Sequence, residues 1–291
     1  MRGVATWIVG GAVALLLVLA IADAIRSRED ASGSPGPPPG LHGVIVAAGE
    51  RCQATGFRFP SMAPEQPPHP LDCGGEVWSQ DGTLVASCEE GVTTVRSGDG
   101  SFQLPDVSGC APAWRSDGSL SVIRDGGIVI ARRHGAPFHF FTRSQLTDAL
   151  APVADRPESW VFTHVSWFAL TSFVAVLHAA ESNETAIAVF ARGGLETFLP
   201  QPDGGIEDLH ASPLGNFAFA RPDPKRAYVM VSRGGEPIVI PHVPGARALT
   251  WSPDELYVAI ATGDETLIAR TGTTRIIGKL PFGGRALAWL T

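Results

Sequence analysis

The chain has 291 residues, a formal charge of −7 and 44% hydrophobic residues, with 33 Gly and 24 Pro. That length suits one large domain, and the Gly and Pro content suits many short strands joined by turns. No run of Lys or Arg interleaves with aromatic residues, which excludes nucleic acid as an expected partner.

Residues 4–22 carry no charge over 19 positions, enough to cross a bilayer core as a helix. Residues 1–28 are therefore expected to be a short N-terminus and a transmembrane helix or signal anchor. The competing expectation is a cleaved signal peptide, because Ala22-Asp23-Ala24 has a small-x-small pattern. Residues 29–41 are rich in Pro, Gly and Ser and read as a tether, part mobile and part extended polyproline. The expected location is the cell membrane, single-pass, with residues 42–291 on the extracytoplasmic side. Arg26 and Arg28 after the span slightly oppose that orientation, whereas the short N-terminal tail and the four cysteines favour it. The alternative is secretion after cleavage.

Beyond the tether, Gly43-Val44-Ile45-Val46-Ala47-Ala48 and residues 53–59 read as strands, and the Pro-rich residues 61–70 as an irregular outer strand or loop. A repeated opening follows. Val77-Trp78-Ser79-Gln80-Asp81-Gly82 and Ala113-Trp114-Arg115-Ser116-Asp117-Gly118 each place a Trp at the end of a short apolar strand, before a turn. Trp251-Ser252-Pro253-Asp254 repeats this, His210-Ala211-Ser212-Pro213 lacks the Trp, and Val165-Ser166-Trp167 lacks the turn. Ser and Asp bond the backbone of such turns, and Pro presets their φ. With Trp289, the anchors at 78, 114, 167, 211, 251 and 289 recur every 36 to 53 residues, the period of a four-stranded propeller blade. Ala286 to Leu290 reads as the first strand of a unit whose second strand is Gly43 to Ala48, so both ends of the domain share one sheet.

These W-S-x-D-G and W-S-P-D openings resemble the repeat of TolB-type β-propellers, over roughly residues 41–291. The resemblance implies an all-β propeller; with the repeat spacing and the apolar run, the expected fold is a six-bladed β-propeller closed by pairing of N- and C-terminal strands, preceded by a single N-terminal transmembrane helix. It also implies a habit of binding partners, but no reaction.

Cys52 and Cys73 bracket the Pro-rich segment, and Cys88 and Cys110 bracket the outer half of the next unit. In a four-stranded blade each pair occupies neighbouring connections, so repeat equivalence favours disulfides Cys52–Cys73 and Cys88–Cys110. Four buried free thiols are the alternative, and no C-x-x-C suggests zinc.

Eight histidines are scattered without close metal spacing. His210 is the one that could face the axial channel, with a structural role as the alternative. No G-x-S-x-G elbow occurs, and Ser79, Ser212 and Ser252 are accounted for by the turns. The third strand of five units ends near an arginine, Arg96, Arg132, Arg192, Arg233 or Arg270, before a Gly-containing turn. These could form a basic rim facing a partner, or be solvated turn residues. Residues 142–159 insert a short helix by the spacing of Leu146, Ala149, Leu150 and Val153, and are expected to be replaceable without loss of the fold. The expected function is a membrane-tethered binding or scaffold module for a protein or cell-envelope component, without catalysis, metal or cofactor. The alternative is an exported lyase- or lactonase-like propeller enzyme with its site in the channel.

Overall fold

The computed structural model describes residues 41–48, 54–61, 63–65, 77–97, 103–201, 205–206, 208–212, 214–221, 227–230, 238–240, 243, 245–271, 275–284 and 286–290. The apolar residues 4–22, residues 29–40 of the tether, Cys52, Cys73 and Arg233 lie outside these; Leu41, expected as the last tether residue, is buried and belongs to the ring. Among the described residues no helix is long and apolar enough to cross a membrane.

Among the described residues, twenty-four strands form six four-stranded antiparallel sheets. The first holds β1 (Gly43–Ala48), β2 (Ala54–Phe59) and β3 (Ala63–Glu65). The second is β4 (Val77–Trp78), β5 (Leu84–Glu89), β6 (Val92–Ser97) and β7 (Gln103–Ser108). In the third, β8 (Cys110–Trp114), β9 (Leu120–Arg124), β10 (Gly127–Ala131) and β11 (Phe138–Phe141) precede helix α1 (Arg143–Leu150) and a 3-10 turn, Pro157–Ser159. The fourth is β12 (Trp160–Ala169), β13 (Ser172–Ala179), β14 (Thr185–Ala191) and β15 (Gly194–Gln201). The fifth is β16 (Asp208–Ala211), β17 (Phe217–Ala220), β18 (Ala227–Met230) and β19 (Ile238–Ile240). The sixth is β20 (Ala248–Trp251), β21 (Tyr257–Ala261), β22 (Thr266–Arg270) and β23 (Arg275–Leu280), and β24 (Ala286–Leu290) returns to the first sheet.

The expected pairing of the two ends is present: β24 runs antiparallel to β1, with Val44 opposite Leu290 and Ala48 opposite Ala286. The joint is tight. A Cβ on Gly43, at φ +96°, would lie 2.2 Å from the Leu290 carbonyl oxygen, so only glycine fits where β1 begins. Strands buried on both sides, such as β10, β14 and β21, read as continuous apolar runs because each sheet is covered by its neighbours.

Adjacent sheets meet through their first strands, β4 on β8, β8 on β12, β12 on β16, β16 on β20 and β20 on β24. Trp78 completes the circuit by packing against Val44, Val46 and Leu290 of the first sheet. This is the all-β propeller architecture. The meander within each sheet puts the first-to-second and third-to-fourth turns on one side, the hairpin face. The second-to-third turns and the links between sheets lie on the other, the crossover face.

One expected disulfide, Cys88–Cys110, is formed, with Cα atoms 5.3 Å apart, tying β5 to the first strand of the next sheet. Closing a loop of this length contributes about 3 kcal/mol. Reduction, or Cys88→Ser, is expected to lower stability by roughly that amount, measured as urea midpoints with and without reductant.

Candidate functional surfaces

The repeated motif builds the ring. Ser79 donates to Asp81 (2.6 Å) while accepting from the Leu84 amide (2.9 Å), and Asp81 accepts from the Thr83 amide (3.1 Å). Ser252, Asp254, Tyr257 and Leu256 repeat the arrangement. Burial opposes ionisation of Asp81, yet the bonds from Ser79 and Thr83 outweigh it and hold its pKa below the usual carboxylate value. The tryptophans join neighbours: the Trp114 indole donates to the Val77 carbonyl (2.8 Å), and Trp251 to that of His210 (3.0 Å). Trp167 donates instead to the Ser121 hydroxyl (2.7 Å). A flat apolar ring with one N–H at its edge suits this task, since the N–H must find an acceptor once buried.

Two departures from the motif have local explanations. Arg115 stands where the turns after Trp78, Ala211 and Trp251 have Ser, and it is buried. It bonds Ser119 (3.0 Å) and the Leu170 carbonyl, lies 3.5 Å from Asp117, and stacks over Trp167 (4.9 Å) and Phe140 (5.6 Å). It thereby anchors the fourth sheet's turn, Phe168-Ala169-Leu170, which lacks its own Ser and Asp. Glu255 occupies the left-handed position (φ 60°) that Gly82, Gly118 and Gly215 hold in other turns. Its carboxylate is buried, and Oε1 accepts from the Leu214 amide of the preceding sheet (2.9 Å). Oε2 has no hydrogen-bond partner among the described residues.

His210 lies on β16, a first strand, half-buried, with Nε2 3.6 Å from Asp208 Oδ1. His164 on the neighbouring β12 joins them, its Nε2 3.0 Å from the Leu209 carbonyl. Burial pushes the His164 pKa down, partly opposed by Asp208. Asp208 Oδ1 accepts the amide of Leu209 within β16 (2.9 Å), and Oδ2 accepts that of Leu249 (2.7 Å), which holds β16 beside β20. Among the described residues no group of three His, Cys, Asp or Glu could hold a metal.

Arg96, Arg132, Arg192 and Arg270 are all exposed at the third-to-fourth turns of the hairpin face. Arg132 lies over Phe138, 4.8 Å from its centroid. Residues 142–159 link the third sheet to the fourth and so lie on the crossover face. The helix and the arginine turns, expected as contacts for one partner, are therefore on opposite sides of the ring.

The inserted segment is a built element. Thr142 Oγ1 accepts from the Gln145 amide (3.3 Å), and Gln145 Oε1 accepts from the Thr142 amide (2.8 Å), a capping box. Leu146 and Leu150 are fully buried in the cluster that holds Phe141, Trp160 and Phe162. Replacing the segment with a short turn would remove them, which corrects the expectation that it is dispensable. Beyond the helix, a groove of about 340 Å³ has a floor of Trp160 and Phe198, edge-to-face at 5.4 Å. Val153 and Pro200 flank it, and the ion pair Arg156–Glu181 (2.5 Å) sits at its rim.

No protein-family model and no curated protein matches this chain. Solved structures do. Hydrazine synthase of Kuenenia stuttgartiensis aligns with a TM-score of 0.54 at 11% identity, over 88% of this chain and 90% of that one. A Bacteroides caccae protein of unknown function gives 0.56 at 12% identity, over 86% and 99%. Regucalcin from Agrobacterium tumefaciens, described as calcium-binding, gives 0.50 at 12% identity, over 71% and 72%. The chain has a β-propeller fold. At these identities the likeness extends to fold alone.

The groove, His164, Asp208, Arg115 and Glu255 were not singled out from sequence. Thr142 and Gln145 at capping-box spacing were a usable signal for the helix start. The others depend on contacts between sheets and leave no local pattern.

Proposed function

We propose that the chain is a six-bladed propeller with TolB-type repeats, tethered to the membrane with its ring on the extracytoplasmic side. It acts there as a binding or scaffold module for a protein or cell-envelope component, without catalysis. The observation that carries this reading is the groove beside α1. An aromatic floor, an exposed Val153 and an Arg-containing rim have the composition of a protein contact, where aromatic and arginine side chains dominate the energy. The helix beside it is capped and packed, so the groove is preformed and little ordering cost falls on binding.

The test uses the full chain in its native membrane. Val153→Asp combined with Arg156→Ala is expected to lower photo-crosslinked capture of envelope proteins by at least about fivefold, with melting unchanged, as for the loss of one moderate hot spot. Unchanged capture would remove the groove from the reading.

A second reading, an enzyme with its site in the channel, draws on the meeting of His164, Asp208 and His210. Turnover of an ester or lactone by the purified protein, lost in Asp208→Asn, would move the conclusion there.

A further inference from the structure

The exposed apolar residues are unevenly placed. Leu170 (47% exposed), Leu214 (75%) and Leu256 (53%) occupy the first-to-second turns of three consecutive sheets, and Phe138 (38%) begins β11 on the same side. All four belong to the hairpin face. Scattered apolar residues need no explanation, but the same turn exposing a leucine in three neighbouring sheets makes an arc.

Around that arc stand exposed arginines, Arg96, Arg132, Arg133, Arg192, Arg270 and Arg275. Among the described residues they outnumber the exposed carboxylates of this face, Asp81, Asp117, Asp254 and Glu196, although the whole chain carries a net −7. On the crossover face the balance differs among the described residues: Glu89, Glu90, Asp125, Glu184 and Asp264 are exposed against Arg143, while Arg156 and Lys279 are tied to Glu181 and Glu265.

The chain before the ring joins this same hairpin face. β1 is a second strand and starts opposite Leu290, the end of a first strand. The entry point is fixed, because Leu41 is fully buried and the His42 carbonyl accepts the Trp289 indole N–H (2.9 Å). From Leu41 back to Ala22 the chain reaches at most about 65 Å, so a bilayer holding residues 4–22 is within reach of this face.

We propose that the hairpin face docks on a bilayer surface bearing anionic phospholipid headgroups. Leu170, Leu214 and Leu256 enter the interfacial layer, and the arginines pair with phosphate groups. This rests on the membrane-tether reading. It leaves the crossover face, with α1 and the groove, turned away from the membrane toward any protein partner.

The experiment places the full chain in nanodiscs of phosphatidylcholine, alone or mixed with phosphatidylglycerol, with a photo-crosslinking benzoylphenylalanine replacing Leu214 or, on the other face, Val153. Lipid adducts at position 214 are expected to exceed those at 153 at least fivefold, and only in the anionic discs. Arg132→Gln, Arg192→Gln and Arg270→Gln together, all at exposed turns, are expected to lower them about tenfold or more, since each arginine near an anionic surface contributes about fivefold. Equal adducts at 214 and 153, or protein adducts at 214 in native membranes without lipid adducts, would overturn docking while the tether stands. Release of the unmodified chain from the bilayer by alkaline carbonate would overturn the tether and docking together.

Discussion

A chain ending at residue 285 is expected to melt more than about 10 °C below the full chain, or to show no cooperative transition. The deletion removes β24, whose five residues pair with β1 from Val44↔Leu290 to Ala48↔Ala286. Leu287, Trp289 and Leu290 leave the core with it, and all three are buried. Loss of one buried Trp side chain costs about 3–5 kcal/mol on its own, and total stabilities are typically only about 5–15 kcal/mol. At about 2–4 °C per kcal/mol for a domain of this size, the tryptophan alone accounts for a shift near 10 °C. The deletion also bares the edge of β1, a row of unpaired amides and carbonyls that invites association between copies. Scanning calorimetry with light scattering separates the two contributions. Trp289→Ala, which keeps the strand, is expected to lower the melting temperature without the scattering. An unchanged melting temperature in the truncated chain would mean that the β24 pairing contributes nothing to closure.

The propeller was legible because its design is local. Trp, Ser and Asp at fixed offsets perform the same tasks wherever a copy keeps them: Trp bridges to the neighbouring sheet, and Ser and Asp cap the turn amides and set the hairpin. Even the degenerate unit at 167 could be placed, because its Trp remains. What replaced its missing turn residues was not legible. Arg115 supports the Leu170 carbonyl across 55 residues of sequence, and in the sequence it reads as an ordinary polar turn residue. The same holds for His164 and Asp208, which lie on different first strands and meet only because the ring brings those strands side by side. Face assignment was half legible. The alternation of turns fixes the arginines and the Trp-Ser turns on one side, and carrying it one connection further places residues 142–159 on the other. The leucine arc went unnoticed because Leu170 and Leu214 lie within turns and Leu256 directly after one, and only the ring, which sets equivalent turns of neighbouring sheets side by side, brings the three into one arc.

Excision of residues 143–156 in favour of a short Gly-Ser turn is expected to unfold or severely destabilise the ring, and Leu146→Ala or Leu150→Ala to cost about 3 kcal/mol each. Both leucines are fully buried on one side of α1, in contact range of a dense aromatic group. In that group Phe173 stacks on Phe190 at 4.9 Å, and Phe141 meets Phe190 at 5.2 Å and Phe162 at 5.7 Å. These rings come from β11, β12, β13 and β14, so the helix closes the seam between the third and fourth sheets. Such rings cannot collapse into the space a leucine leaves without breaking their edge-to-face contacts, so a cavity would persist and add to the lost transfer free energy. Melting should fall by roughly 6–12 °C per substitution. Val153→Asp on the exposed side of the same segment should change stability by less than about 0.5 kcal/mol. That contrast decides between the two roles of the segment: if Leu146→Ala and Val153→Asp melt alike, the helix is a surface appendage and its groove has no rigid base. If only the buried leucine matters for stability, the helix acts as a wedge between sheets, and any loss of partner capture in Val153→Asp belongs to binding.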